Sequence, residues 1–306
     1  MTGPSAPILP SRRSFLAAAG AAAVLPLLGR AGRAAAGPTP PPFHKAVGLG
    51  MVQEDGDLLA KFRLLKELGF DGVELNAPNG YDTTEVLAAR DASGLRIHSV
   101  VDSIHWDKPF SHPDPEVRAA GLAGLQAALR DAHAYGADAV LVVPAVVGKK
   151  VSYDQAWERS QAEIAKAVPL AEELGVKIAI ENVWNNFLLS PLEFRRYVDS
   201  FDSAMVGAYF DAGNVVRYGW PEQWIRILGD RLLKVHVKEY SRQKMNSEGP
   251  WKGFQVELGE GDNDWPAIVA ALREVGYDGW LTAEVGGGGR ERLAFLAGRM
   301  DQILAG

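Results

Sequence analysis

The chain has 306 residues, 47% of them hydrophobic and 23% charged, with a formal net charge of −6 and no cysteine. Such a composition suits a globular protein with a full core, and the missing cysteine excludes disulfides, thiolate nucleophiles, iron–sulfur clusters and lipid attachment through cysteine. An acidic balance also argues against nucleic acid, whose binders carry a basic footprint.

The first 36 residues read as a targeting segment and not as fold. Ser11-Arg12-Arg13-Ser14-Phe15-Leu16 is a twin-arginine signal, Ala17 to Leu28 is its apolar stretch, and Ala34-Ala35-Ala36 is a small-residue cleavage site. That stretch is too short to span a bilayer of about 30 Å, so no stable membrane anchor is expected. The segment holds four arginines and no acid, which leaves the remainder four charges more negative than the whole chain. Expected from it are the twin-arginine export machinery as a partner, folding before export, and a periplasmic or extracellular location. Residues 37–43, with Gly37-Pro38-Thr39-Pro40-Pro41-Pro42, read as an extended Pro-rich linker.

Over 44–306, strand-like runs alternate with amphipathic helical stretches. Strands are expected at Ala46–Met51, Gly72–Leu75, Leu95–Val101, Ala139–Val143, Lys177–Glu181, Val206–Asp211, Leu232–Lys238 and Trp280–Glu284. Between and after them, helices are expected at Leu58–Leu68, Thr83–Ala92, Pro115–Tyr135, Tyr153–Leu174, Pro191–Ser200, Pro221–Leu228, Trp265–Val275 and Arg290–Leu304. Leu-Gly, Tyr-Gly and Val-Gly pairs recur at the helix ends, as left-handed caps require. Eight strand–helix units with no composition break predict an α/β fold, a single (β/α)8 TIM barrel. A doubly wound open sheet is the alternative. It needs a glycine-rich phosphate turn after the first strand, and Gly48-Leu49-Gly50-Met51-Val52-Gln53 has neither the third glycine nor the matching acid.

Strands five to eight each end in a metal-ligand residue: Glu181, Asp211, His236 and Glu284. A charged or imidazole group at the end of a buried strand is costly unless something pairs with it. In a barrel these ends line the active site, and strands about 4.8 Å apart let neighbouring side chains share one ion. Three carboxylates and one imidazole suit one divalent metal ion, Mn²⁺ or Mg²⁺ ahead of Co²⁺ or Zn²⁺.

Glu-Asn at 181–182, Phe-Asp-Ala-Gly-Asn at 210–214, His-Val-Lys-Glu at 236–239, Gly-Glu-Gly-Asp-Asn-Asp-Trp at 259–265 and Gly-Trp-Leu-Thr-Ala-Glu at 279–284 together resemble the xylose isomerase-like barrels. That superfamily includes sugar phosphate isomerases and epimerases, ketose 3-epimerases, inosose dehydratases and endonuclease IV. The resemblance implies Glu181, Asp211, His236 and Glu284 as ligands, with Glu181 and Glu284 doubling as the catalytic acid/base pair on opposite faces of the substrate. Such chemistry is physically sound, since a dication on a carbonyl and its neighbouring hydroxyl stabilises an enediolate while two carboxylates move the proton.

Further residues are expected to contact substrate. Lys238 lies two after His236, on the same inward face and nearer the mouth. Arg242 stands where, by the resemblance, ketose epimerases carry a substrate-contacting arginine. Asn214 stands where those epimerases often have a histidine, a departure that speaks against strict ketose 3-epimerase activity. Glu74 and His98, at or along strands two and three, are expected to face the pocket or to form a buried pair. Trp106, Trp184, Trp220 and Trp251 all fall in loops after strands, where aromatic faces stack on sugar rings. Gly286-Gly287-Gly288-Gly289-Arg290 opens the last helix, either as a phosphate site or as a plain glycine turn.

The leading expectation is a sugar isomerase or epimerase acting on a small-molecule carbohydrate: a free sugar, keto-sugar or glycoside. A lyase is the enzymatic alternative, with the same proton abstraction followed by loss of a β-oxygen, as in inosose dehydratases or keto-glycoside cleavage. A non-catalytic sugar-binding barrel is the alternative of another class, and a homo-oligomer is left open. An endonuclease IV-like activity is disfavoured by the six histidines and the acidic balance.

Overall fold

The structure is a computed structural model that describes residues 43–305. The twin-arginine segment and nearly all of the Pro-rich linker lie outside the described residues. Eight parallel strands close on themselves in chain order, β1 His44–Gly48, β2 Gly72–Ala77, β3 Arg96–Asp102, β4 Ala139–Val142, β5 Lys177–Glu181, β6 Val206–Asp211, β7 Leu232–Val237 and β8 Trp280–Ala283, with β8 pairing back onto β1. This is a single (β/α)8 TIM barrel, as the strand–helix alternation predicts. Among the described residues no helix is long and apolar enough to cross a membrane.

Alternation along each strand divides the protein into two interiors. Outward residues such as Val140, Val142, Ile178, Ile180, Phe210 and Val235 join the large apolar core beneath the helices. Inward residues form a smaller cluster, Ala139, Leu141, Ala179 and Tyr209, alongside buried polar groups. Helices α1 Leu58–Glu67, α2 Thr83–Ser93 and α3 Pro115–Tyr135 each start at an aspartate whose side chain accepts from a first-turn N–H: Asp57, Asp82 and Asp114.

Four local differences from the expected elements have plain causes. The first strand begins at His44 and stops at Gly48, where a 3₁₀ turn, Leu49–Met51, bends the chain over the barrel mouth. The helix expected over Tyr153–Leu174 is two helices, α4 Tyr153–Ala165 and α5 Val168–Leu174. Pro169 has no N–H to give to the preceding turn, so the ladder cannot run through. The short helix α7 Ala212–Val216 follows β6 directly, after α6 Pro191–Asp199, and α8 is Pro221–Leu228. After β7 the chain builds α9 Arg242–Glu248 and a 3₁₀ segment, Pro250–Phe254, before α10 Trp265–Glu274 and the last helix, α11 Arg290–Ala305.

Candidate active site and metal centre

The C-terminal strand ends open into a cavity of about 580 Å³. At its floor, one ligand atom from each of Glu181, Asp211, His236 and Glu284 lies within 4.8 Å of the others. Glu181, Asp211 and His236 are buried, and Glu284 is nearer the mouth. His236 turns Nδ1 inward, 2.8 Å from Glu181 Oε1 and 3.1 Å from Glu284 Oε2.

Neighbouring side chains and backbone hold Asp211 and His236 in place. The Asn182 side chain bridges the ends of β5 and β6, accepting from Asp211 N–H at 2.9 Å and donating to the Asp211 carbonyl at 2.9 Å. Asp211 Oδ1 accepts from Asn214 N–H at 2.8 Å and so caps α7, while the Asn214 amide donates to the Asn182 carbonyl at 3.0 Å. Gly213 has to be glycine, because a Cβ there would stand 2.7 Å from the Lys238 carbonyl oxygen. Behind His236, Nε2 lies 3.4 Å from Glu74 Oε1. The other Glu74 oxygen accepts from Tyr209 Oη at 2.7 Å, and Tyr209 stands 3.2 Å from Thr282, which meets His98 Nε2 at 3.0 Å.

The electrostatics are those of a crowded acidic site. Burial pushes Asp211 up to about 7 against the pull of Lys238, with Glu284 and Glu181 adding to the rise. Burial likewise raises Glu181, opposed by His236. Burial works against ionisation of Glu284, yet Lys238 and His236 outweigh it and hold this carboxyl well below the usual range. Burial also opposes the charge on His236, but Glu284, Glu181 and Glu74 lift its pKa well above that of a free imidazole. Lys238 Nζ sits 3.0 Å from Asp211 Oδ2 and 2.8 Å from Glu284 Oε2. Those two carboxylate oxygens are buried without a hydrogen bond of good geometry. Converging carboxylates and one inward imidazole nitrogen fit a divalent cation. A span of 4.8 Å is what ligands roughly 2.0–2.6 Å from one ion cover.

Of the other expected contacts, Glu74, Trp106, Trp184, Asn214 and Lys238 line the cavity. Two do not. His98 sits towards the opposite, N-terminal end of the barrel, stacked on Trp280 at 4.4 Å and bordering a separate groove there. It lies early in β3, two strand steps below the mouth, so the alternation that turns it inward leaves it deep. Nor do Glu74 and His98 pair directly, since Tyr209 and Thr282 stand between them. Arg242 is held outside the cavity: Nε donates to the Val216 carbonyl, NH2 to the Gly219 carbonyl, and the guanidinium lies over Trp220 at 5.4 Å. The unanticipated helix α9 begins at Arg242 and carries it away from β7. Trp220, too, is exposed on the rim and does not line the cavity.

The glycine run before α11 holds no open anion site, because Glu54 accepts from the Arg290 N–H. A Cβ on Gly289 would meet Glu54 Oε1 at 2.8 Å. Tyr209 and Thr282 were legible as inward residues two positions before Asp211 and Glu284, but nothing local marks them as polar partners. Glu239 is a further role that spacing does not give. Its carboxylate accepts from Gly259 N–H and Trp265 Nε1 at 2.8 Å each, and from Asn263 Nδ2 at 3.0 Å, so the 259–265 motif is the clasp of a mouth loop.

Comparison with known proteins agrees with this architecture. Residues 62–298 match the model of the xylose isomerase-like TIM barrel. The chain is 27% identical to an inosose dehydratase of Lacticaseibacillus casei over 243 residues, 71% of this chain and 78% of that one. To L-ribulose-5-phosphate 3-epimerase of Salmonella paratyphi C it is 26% identical over 241 residues, 72% and 79% of the two chains. It spans 62% of an uncharacterized protein of Methanocaldococcus jannaschii at 24% identity. Among solved structures, 3-keto-D-glucoside 4-epimerase of E. coli superposes with a TM-score of 0.72 at 18% identity, over 86% of this chain and all of the other, a likeness of fold. With the match spanning most of the barrel, the chain belongs to the xylose isomerase-like TIM barrel family.

Proposed function

We propose that this protein is a divalent-metal-dependent sugar isomerase or epimerase acting on a free sugar, keto-sugar or glycoside. The observation that carries the proposal is the convergence of Glu181, Asp211, His236 and Glu284 within 4.8 Å at the floor of a sugar-sized cavity. The epimerases among its relatives support the reaction class. A bound Mn²⁺ or Mg²⁺ would polarise the carbonyl and adjacent hydroxyl oxygens of the substrate. Glu181 and Glu284, from β5 and the end of β8, are the two carboxylates that remove and return the proton next to the carbonyl. Lys238, between Asp211 and Glu284, donates towards the oxygen on which negative charge develops. The 27% identity to an inosose dehydratase supports a lyase as the second reading, in which the same abstraction expels a β-oxygen.

Incubating Mn²⁺-loaded protein with a panel of keto-sugars and keto-glycosides in D₂O tests the reaction. Deuterium is expected on the carbon next to the carbonyl, and chelation should stop its entry. A dehydrated or cleaved product in place of an exchanged isomer selects the lyase. Exchange that persists in metal-free protein, or that never occurs, refutes the proposal. The twin-arginine pattern within residues 1–36 supports export of the folded protein, and retention in the cytoplasmic fraction refutes that part.

A further inference from the structure

The loop after β7 is built to hold an aromatic surface at the cavity rim. Trp251 is 68% exposed, although leaving so large an apolar face in water is unfavourable. It is nevertheless fixed in place. Its ring packs on Trp184 at 4.8 Å, and Trp184 in turn packs on Phe254 at 4.8 Å and donates from Nε1 to the Asn214 carbonyl at 2.8 Å. The segment carrying Trp251 is pinned by the Tyr240 hydroxyl, which donates to the Pro250 carbonyl at 2.8 Å, and by Ser241 N–H, which donates to the Gly253 carbonyl at 2.8 Å. Gly253 lies flat on the Tyr240 ring, where a Cβ would stand 2.4 Å from ring carbons. A rigid platform loses little freedom when a ligand settles on it.

The platform is continuous with the carboxylate floor. Phe254 is 5.6 Å from Lys238 Nζ, which touches Asp211 and Glu284. A ring held at the floor therefore leaves a second ring facing Trp251. Charge narrows the choice further: Glu54 fills the one helix N-terminus at the glycine run, and Glu74, Glu181 and Glu284 line the cavity. At the platform itself Arg217 lies over the Trp184 ring at 4.9 Å and Lys238 near Phe254, so the preference for a neutral second ring rests on the apolar aromatic face and on the occupied helix N-terminus.

We propose that the substrate has two rings, with the reacting sugar at the carboxylate cluster and a neutral second ring laid on Trp251 and Phe254. The substrate class is then a glycoside or disaccharide and not a sugar phosphate. This rests on the sugar-enzyme reading above and specifies its substrate. A sugar and an aryl aglycone share the flat apolar face that the platform accepts.

Binding to the Mg²⁺-loaded protein, read by tryptophan fluorescence and saturation-transfer NMR, tests the proposal independently of turnover. The probes are cellobiose, phenyl β-D-glucoside, methyl β-D-glucoside and glucose 6-phosphate. One or both two-ring probes should bind about tenfold tighter than methyl glucoside, the equivalent of one aromatic stacking contact. The stronger of the two identifies a sugar or an aryl second ring. In Trp251→Ala the affinities should converge, and Trp251→Tyr should restore the gap. Equal affinities in the parent protein, a gap that survives in Trp251→Ala, or glucose 6-phosphate as the tightest ligand overturns the proposal. Glycoside binding without deuterium exchange would sink the reaction and leave this subsite standing.

Discussion

On β7, Lys234 lies near the start and His236 two residues on; on β8, Trp280 begins the strand and Glu284 follows its end. The same inward-facing rows thus serve two ends of one barrel, and the ends are finished differently. At the N-terminal end Trp280 is covered by His98 at 4.4 Å and by the Arg96 guanidinium at 4.4 Å, while Lys234 pairs with Asp138 at 2.5 Å. Cations there are matched by a π face and a carboxylate. At the C-terminal end three carboxylates crowd one imidazole and one ammonium, and two oxygens are left without a good hydrogen bond. At the N-terminal end each of these cations has its partner, with His98 Nδ1 left unpaired; the C-terminal end sets three carboxylates against two cations, the negative excess that suits a divalent cation.

Mutations at the two ends should therefore separate activity from stability. The largest effect is expected for Glu181→Gln, which should slow deuterium exchange roughly 10²–10⁴-fold while leaving the Tm unchanged or raised. A matching loss of Tm would erase the contrast. Next comes Trp280→Ala at the closed end. It should cost about 3–5 kcal/mol in denaturant unfolding, with exchange per folded molecule preserved. Lost exchange in the folded variant would show that the lower end also serves the chemistry. The smallest effect belongs to Tyr209→Phe, halfway between. Removing its hydroxyl leaves Glu74 short of a donor behind His236, so Mn²⁺ affinity measured by titration calorimetry should fall roughly 10–100-fold. Unchanged affinity would show that the two ends are not connected through this tyrosine.

How far the sequence could be read follows the same division. The barrel and the convergence of Glu181, Asp211, His236 and Glu284 were legible because both depend on local order: strand endings repeat at the same point of each unit, and the four stand at such endings. Depth within the barrel was not legible. His98 and Glu74 both read as inward residues, yet β3 and β2 are staggered by a register shift between Val73 and Glu74, and the two reach different levels. Arg242 was misplaced for another reason. Its six-residue spacing from His236 says where the chain is along the sequence, and the helix at Arg242–Glu248 redirects it. The break at Pro169 was visible as a proline, but the helical pattern on both sides masked it.

Asp211 offers one carboxylate oxygen to the first turn of α7 and leaves the other facing the quartet. A place in the acidic cluster and the start of that helix thereby fall to a single residue. The other three positions carry different constraints: Glu181 and Glu284 are the proposed proton carriers, and His236 is held between Glu181 and Glu74. At position 211 a histidine or a longer acid would undo the turn it starts, so a change there disturbs the local fold together with the site.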